Sequence, residues 1–336
     1  MDLDTLFTLL YVIIDDWYKE NMRELLKRQA GPALRMSDSE VLTIAIAAQL
    51  RKGVPWQSER GIVRYLRKHG RRWFPTMLNR SQLNLRTRQL WAAFVCLQRD
   101  LGYILCEDAL YEAVDCTPLP YCSLGQAISH HNHWISGKKG RGGNHGGWYY
   151  GGQLLLSATH TGVITGWVSA QANFDDRWLL EALLSSRHGH MRLIEPELPK
   201  HRDGKLRHVP VPEAFSPAIA AGDDRGAPYL ADGGFSGKRR INHWREEYGA
   251  RVIAPRATNI KGDKPSKLKS WLRGKRQIIE TVFARLVDVF GLHRINAHSE
   301  HGLITRIAAI TAAYNLTILL NRMSGRKDGA MATLIC

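Results

Sequence analysis

The sequence predicts an α/β protein: a mixed sheet flanked by helices, preceded by an all-helical region. Residues 1 to about 105 carry apolar residues at helical spacing, with capping residues ahead of them. From about residue 106, short apolar runs ended by Gly or Pro alternate with amphipathic stretches. Their order is strands, helix, strand, helix, strand, helix, which suits a sheet covered by helices. With 44% hydrophobic residues over 336 positions, the chain can bury an ordinary core.

In the N-terminal region, SDSEVLTIAIAAQLRKG opens with Ser37 and Glu40 at capping-box spacing and closes at Gly53. SERGIVRYLRKHG reads as a short basic helix ending at Gly70. SQLNLRTRQLWAAFVCLQRDLG reads as one helix capped by Ser81, with Leu83, Leu90, Phe94 and Leu97 on its apolar side. ALYEAVDCTPLP then reads as a strand halted by Pro118 and Pro120. WYYGGQLLLSATH and GVITGWVSAQ form an antiparallel hairpin about a Thr-His-Thr-Gly turn, and DDRWLLEALLSS is a helix. Residues 186–226 lack sustained periodicity and read as a loop-rich insertion. APYLADGG is a strand, GKRRINHWREEYG a helix and ARVIAP a strand. KGDKPSKLKSWLRGKR reads as a basic linker into the helix RQIIETVFARLVDVFG. The apolar helix GLITRIAAITAAYNLTILLNR is expected to pack on the sheet, and residues 326–336 to form a flexible tail. The predicted domains are therefore 1–105 and 106–325.

The formal net charge of +16 favours phosphate backbones or anionic surfaces as partners. Between Arg51 and Arg99 there are twelve Lys or Arg residues against one acid, Glu59, a bias that suits contacts to DNA grooves and backbone. Residues 235–276 hold thirteen Lys or Arg against three acids. The expected DNA-contacting residues are Arg71, Arg72, Arg86 and Arg88 in the helical region and Lys138, Lys139 and Arg141 in a Gly-rich basic loop. Lys238, Arg239, Arg240, Arg273, Lys275 and Arg276 complete the set in the C-terminal half. Trp148, Trp244 and Trp271 interleave with these charges as candidates for base stacking, although core packing is the better reading for each taken singly. Five cysteines without a C-x-x-C pair speak against a zinc site or disulfide framework and predict a reducing, cytoplasmic setting. The N-terminal stretch starts acidic and its apolar run is soon interrupted. It predicts neither a secretory leader nor a membrane span.

Three acids have distinctive settings: Asp115 in YEAVDCTPLP, Asp232 in PYLADGGFSG and Glu280 in RGKRQIIETVFARL. The first two follow short apolar runs at expected strand ends. Glu280 lies four residues after Arg276, on the same helix face. Taken singly, a strand-end aspartate serves as a cap and a helix glutamate as a solvated residue or half of an ion pair. Together, in so basic a chain, they suit a site for divalent metal, since Mg²⁺ prefers carboxylate oxygen and two such ions can clamp a phosphodiester displacement. Asp175 and Asp176 read as helix N-cap residues, and Asp223 and Asp224 lie in the insertion. His130, His131 and His133 read as loop residues.

The chain resembles the DDE transposases of bacterial insertion sequences over most of residues 35–322. The resemblance rests on V-D-C-T-P-L-P around Asp115, L-A-D-G-G-F around Asp232 and R-x-x-x-E-T-V-F-A-R-L around Glu280, in that order. It implies a ribonuclease-H-like catalytic domain, with one Asp on the first strand, another after the fourth, and a Glu on a later helix. Asp115, Asp232 and Glu280 would then bind two Mg²⁺ ions, with Mn²⁺ able to substitute. Of the family's extended signature Arg276 and Glu280 match, while Arg273 stands in the tyrosine slot and Val287 in the lysine slot. The implied function is metal-dependent strand cleavage and strand transfer on double-stranded DNA, at element ends and target. A homodimer or higher synaptic assembly would act in the bacterial cytoplasm at the nucleoid, without a membrane. A ribonuclease-H-like nuclease or resolvase without strand transfer, and a non-catalytic DNA-binding protein derived from a transposase, are the alternatives.

Overall fold

Six strands, described in a computed structural model of the chain, make one mixed sheet. They are β1 (Glu112–Cys122), β2 (Lys138–Arg141), β3 (Trp148–Thr159), β4 (Ile164–Gln171), β5 (Tyr229–Leu230) and β6 (Val252–Ile253). The structure describes residues 1–23, 34–106, 109–122, 135, 137–142, 147–187, 227–255, 267–295, 297 and 299–334. The sheet order is β2-β3-β1-β5-β6, with β4 also pairing β3. β3 runs antiparallel to β1, β2 and β4, whereas β1, β5 and β6 are mutually parallel neighbours. The hairpin of β3 and β4 turns where the sequence places it, at Gly162, whose φ of 90° suits glycine.

Among the described residues the helices are α1 (Leu3–Asn21), α2 (Asp38–Ala47), α3 (Glu59–His69), α4 (Arg80–Gln89), α5 (Trp91–Leu105), α6 (Asp176–Arg187), α7 (Lys238–Tyr248), α8 (Lys267–Asp288) and α9 (Glu300–Met323). The chain divides into two compact units, one including Met1–Leu101 and Arg285–Cys336, the other Gly102–Ile194 and Glu213–Ala284, with the boundaries falling inside α5 and α8.

In the first unit α2 packs on α1, α4 and α9. Ser37 caps α2 through the reciprocal capping box with Glu40 that the sequence predicts, an arrangement that stabilises a helix by about 1 kcal/mol. In the second unit one face of the sheet is covered by α6 and α7. Val114, Leu155, Leu180, Leu184, Phe235 and Trp244 are buried together there. Trp244 is therefore a core residue and not a base-stacking one, while Trp148 and Trp271 are exposed.

Several elements depart from the sequence expectation. β1 runs through Pro118 and Pro120 instead of stopping there. The Glu112 N–H donates to Pro228 on the β5 side, so the N–H directions of 114, 116, 118 and 120 follow it by alternation. β5 pairs only with Glu112 and Ala113, so both prolines sit where β1 is an open edge and no donor is needed. The helix expected to start at Ser81 is two helices. Asn79 caps α4 in a capping box with Gln82, and the chain breaks at Leu90 before α5. α2 ends at Ala47, short of Gly53, and beyond it the Arg51 N–H bonds to the Val289 carbonyl instead of continuing a helix.

The supposed linker is helical from Lys267, because Lys, Leu, Trp and Arg are good or tolerable helix formers and Leu272 is buried. Ser186 and Arg187, assigned to the insertion, are buried in the last turn of α6. The final helix, α9, belongs to the first unit and packs on α2 and α4, not on the sheet. It is apolar all round and thus fits the middle of a helical core. It is also the one described helix long and apolar enough to cross a membrane, and 83% of that apolar window is buried inside the protein. Residues 326–334 are folded back rather than loose. Met331 and Leu334 are buried, Arg322 pairs with Asp328, and the N-terminal amine donates to the Leu334 carbonyl at 2.9 Å. Residues 188–226, His130, His131, His133, Asp223 and Asp224 lie outside the described residues.

Candidate active site

Strand alternation settles which acids of β1 can meet. Val114 packs toward α6 and α7 and carries Glu112 with it, so Asp115 faces the opposite side of the sheet. Asp115 is the fourth residue of β1, in mid-strand and not at the strand end that the sequence suggests. Its Oδ1 accepts from the Cys116 N–H at 2.9 Å, and its Oδ2 accepts from Arg276 Nη2 at 2.8 Å. Burial pushes the Asp115 pKa up to about 6, against the pull of Arg276 and the Cys116 N–H; Asp232 and Asp176 add to the rise.

Asp232 follows directly from the parallel register. Glu112 pairs with Tyr229 and Ala113 with Leu230, so extending the register two residues brings Asp232 abreast of Asp115. There the two chains part, because Asp232 turns into a single 3₁₀ turn at Gly233–Phe235 and caps it by accepting from the Gly234 N–H at 2.8 Å. The gap that opens where the two chains part lies beyond the carboxyl end of β5, the side of a parallel strand on which open α/β sheets bind ligands.

Arg276 lies on α8, and its bond to Asp115 fixes which helix face looks at the acids. Glu280, one turn later, shares that face but is exposed, with no hydrogen bond or ion pair among the described residues. Gly162 in the β3–β4 turn meets Ile278 and Val282, so the hairpin seats the same helix. The structure thus joins Asp115 to Arg276 and sets Asp232 within electrostatic reach, while Glu280 stands apart.

Two features escaped the sequence reading. Asp176 does more than start a helix. It accepts the Cys116 thiol, its pKa is raised by burial, and it acts electrostatically on Asp115. Asp175 is the cap, accepting from the Arg177 N–H at 2.9 Å, with its own carboxyl held down to about 2 chiefly by the Arg177 side chain. The second feature is a polar network under the opposite face of β1. Arg187 donates to Glu112 at 2.9 Å, to the Tyr229 hydroxyl at 2.7 Å and to Thr165 at 2.8 Å. Ser157 and Thr165 also donate to Glu112. Burial alone would lower the Arg187 pKa, but Glu112 and Tyr229 outweigh it and the net shift is upward. An alternation argument places Glu112 on this face, but no sequence pattern marks Arg187 as its partner.

The predicted DNA-contacting residues have varied settings. Arg71, Lys138, Lys139, Arg141, Lys238, Arg239, Arg273 and Lys275 are exposed, with Lys139 stacked 4.5 Å over Trp148. Arg72 is paired with Asp4 at 2.8 Å, and Arg86 with Asp38. Arg88 is half-buried, and Arg240 pairs with Glu181 at 3.3 Å. Among the described residues, no three His, Cys, Asp or Glu side chains stand close enough to hold a metal ion. The donor chemistry nonetheless fits a hard dication: Asp115 and Asp232 are carboxylates in electrostatic reach of each other, and Glu280 is an exposed carboxylate on the helix face that bears Arg276, without a partner among the described residues.

A family model described as the transposase DDE domain matches residues 212–316, a span that includes Asp232 and Glu280 but not Asp115. Searches of curated proteins and of solved structures found no match.

Proposed function

We propose that this chain, which its DDE domain match assigns to the insertion-sequence DDE transposases, binds the ends of its own element and performs Mg²⁺-dependent strand cleavage and strand transfer. The observation that carries the reading is that the parallel register, extended past the carboxyl end of β5, brings Asp232 level with Asp115 in β1, while α8 bears Arg276, bonded to Asp115, and Glu280 one turn on. Strand order supports a ribonuclease-H-like core. Leaving out the short β2, the sequence β4-β3-β1-β5-β6 gives three antiparallel strands followed by two parallel ones. The first acid is then on the first strand, the second after the fourth, and the glutamate on a later helix.

Asp115, Asp232 and Glu280 would hold two divalent ions, Mg²⁺ or Mn²⁺, which when bound supply an activated oxygen nucleophile and charge stabilisation for phosphodiester displacement. The chain's own residues set the conditions for that chemistry. Burial of Asp115 lowers the local polarity, so charges act there more strongly than in water. Arg276 neutralises Asp115 and is placed to hold a phosphate beside it, while its own Nε has no partner among the described residues. Gly233 and Gly234, with no side chains, let a DNA backbone come close to Asp232. The exposed Lys138, Lys139, Arg141, Lys238 and Arg239 would extend the track. Because strand transfer joins two DNA ends, a dimer or higher assembly is expected.

Incubating the protein with Mg²⁺ and labelled element-end DNA tests the proposal. Cleaved ends together with joined products support it. Hydrolysis without joined products would favour a nuclease or resolvase, and binding without nicking under Mn²⁺ a non-catalytic binder. Full cleavage by an Asp115→Ala variant would overturn the site assignment.

A further inference from the structure

In the helical unit, α3 and the start of α4 frame an open cleft of about 530 Å³ lined by Arg60, Val63, Arg64, Arg67 and Arg80. Four of the five lining residues are arginines, and none is an acid. We infer that this cleft is a phosphate-binding groove for the backbone of duplex DNA, formed within the basic stretch Arg51–Arg99 by arginines other than Arg71, Arg72, Arg86 and Arg88. The inference rests on the reading of the protein as a DNA transposase and assigns part of that DNA to a specific surface.

Helical spacing builds the groove. Ile62, Val63 and Leu66 are buried and seat α3 on the unit, so Arg60, Arg64 and Arg67, at i, i+4 and i+7, form one outward stripe. At about 1.5 Å of rise per residue the stripe is about 10 Å long. That matches about three phosphates of one strand, at about 3.4 Å each along the duplex axis. Arg80 faces it from the first turn of α4. All four arginines are exposed. Arg60, Arg64 and Arg80 have no ion pair among the described residues, and Arg67 reaches only the Leu78 carbonyl, at 3.4 Å.

The surroundings remove the competing anion. Glu59, the one acid between Arg51 and Arg99, is engaged by Arg306 at 3.5 Å and by Asn84 at 3.3 Å. Other arginines of the unit are already neutralised: Arg72 by Asp4, Arg86 by Asp38 and Arg99 by Asp100. Charge is thus left unpaired in the cleft, where planar guanidinium forks match phosphate oxygens. A lipid surface fits less well. The apolar face of α3 is buried in the protein, leaving nothing to enter a bilayer, and the charges line a concavity.

The test is fluorescence anisotropy with the full chain and a labelled 30-base-pair duplex across a salt series, without divalent metal. R60Q/R64Q/R67Q is expected to fold normally by thermal melt, to bind about tenfold or more weakly, and to lower the slope of log K against log[salt] by about 2 to 3. The control variant R99Q/R322Q, which removes two arginines held in ion pairs, is expected to keep the wild-type slope. Loss of slope in R99Q/R322Q equal to that of the triple variant would show a general charge effect and overturn the groove. So would an unchanged triple variant, or tighter binding to single-stranded RNA or phosphatidylserine vesicles than to the duplex. Failure of the transposase reading looks different: the groove variant loses duplex binding while the wild-type chain shows no metal-dependent cleavage.

Discussion

Glu112 and Asp115 lie three residues apart on one strand, and each is paired with an arginine, yet the two pairs are built for different ends. Glu112 and Arg187 are 1% and 3% exposed, and Ser157, Thr165 and Tyr229 add further hydrogen bonds to them. Asp115 and Arg276 are 25% and 13% exposed, Arg276 Nε lacks a partner among the described residues, and the Asp115 carboxyl is shifted toward its protonated form. A fully satisfied buried pair is rigid and hard to exchange, because removing either member strands the other in low dielectric. In a partly open pair the carboxylate can exchange its arginine for another cation, and the arginine its carboxylate for a phosphate. The alternation of β1 lets one strand carry a structural clamp on one face and a reactive carboxylate on the other.

The largest expected effect breaks the clamp. Arg187→Ala should cost about 3–5 kcal/mol in urea unfolding, since Glu112 is left buried and unpaired. Arg276→Ala should cost about 1 kcal/mol or less, as for an ion pair with access to solvent. Equal losses in the two variants would erase the distinction between the faces.

Asp115 gives a pH signature of intermediate size. Its pKa rises from 3.8 to about 6 on folding, so the folded chain holds this proton more tightly. The associated stability is fully present below pH 3.8 and is lost as pH rises through about 6. Asp115→Asn should therefore gain on the wild type by about 2 kcal/mol between pH 4 and pH 7.5 in unfolding free energy, from a shift of about two units. A constant difference across that range would contradict the burial argument. Tyr229→Phe, like Arg276→Ala, belongs to the small effects: it removes one acceptor of Arg187 and should cost about 1 kcal/mol without changing the pH profile.

The same contrast explains what was legible in the sequence. Asp115, Asp232 and Glu280 could be picked out because each stands in a short motif, and hairpin and helix patterns gave the order of elements along the chain. Non-local pairing was hidden. Pro118 and Pro120 read as a stop because sequence does not reveal that β5 pairs with only two residues of β1. Arg187 read as part of a loop, since an arginine is ordinarily exposed and its partner lies 75 residues away. Asp176 read as a cap because its neighbour Cys116 comes from β1, far away in the sequence. α9 was expected on the sheet because an all-round apolar helix does not say which core it fills.

The central claim is that the open face of β1 is a metal-binding face. Thermal unfolding at pH 7.5 under a Mn²⁺ titration tests it directly, comparing wild type with Asp115→Asn, Asp232→Asn and, as a control on the opposite face, Tyr229→Phe. Saturating Mn²⁺ at about one hundred times its dissociation constant should stabilise the wild type and Tyr229→Phe by about 2.7 kcal/mol. Asp115→Asn and Asp232→Asn should show little or none of that gain. An undiminished Mn²⁺ response in Asp115→Asn would contradict the account.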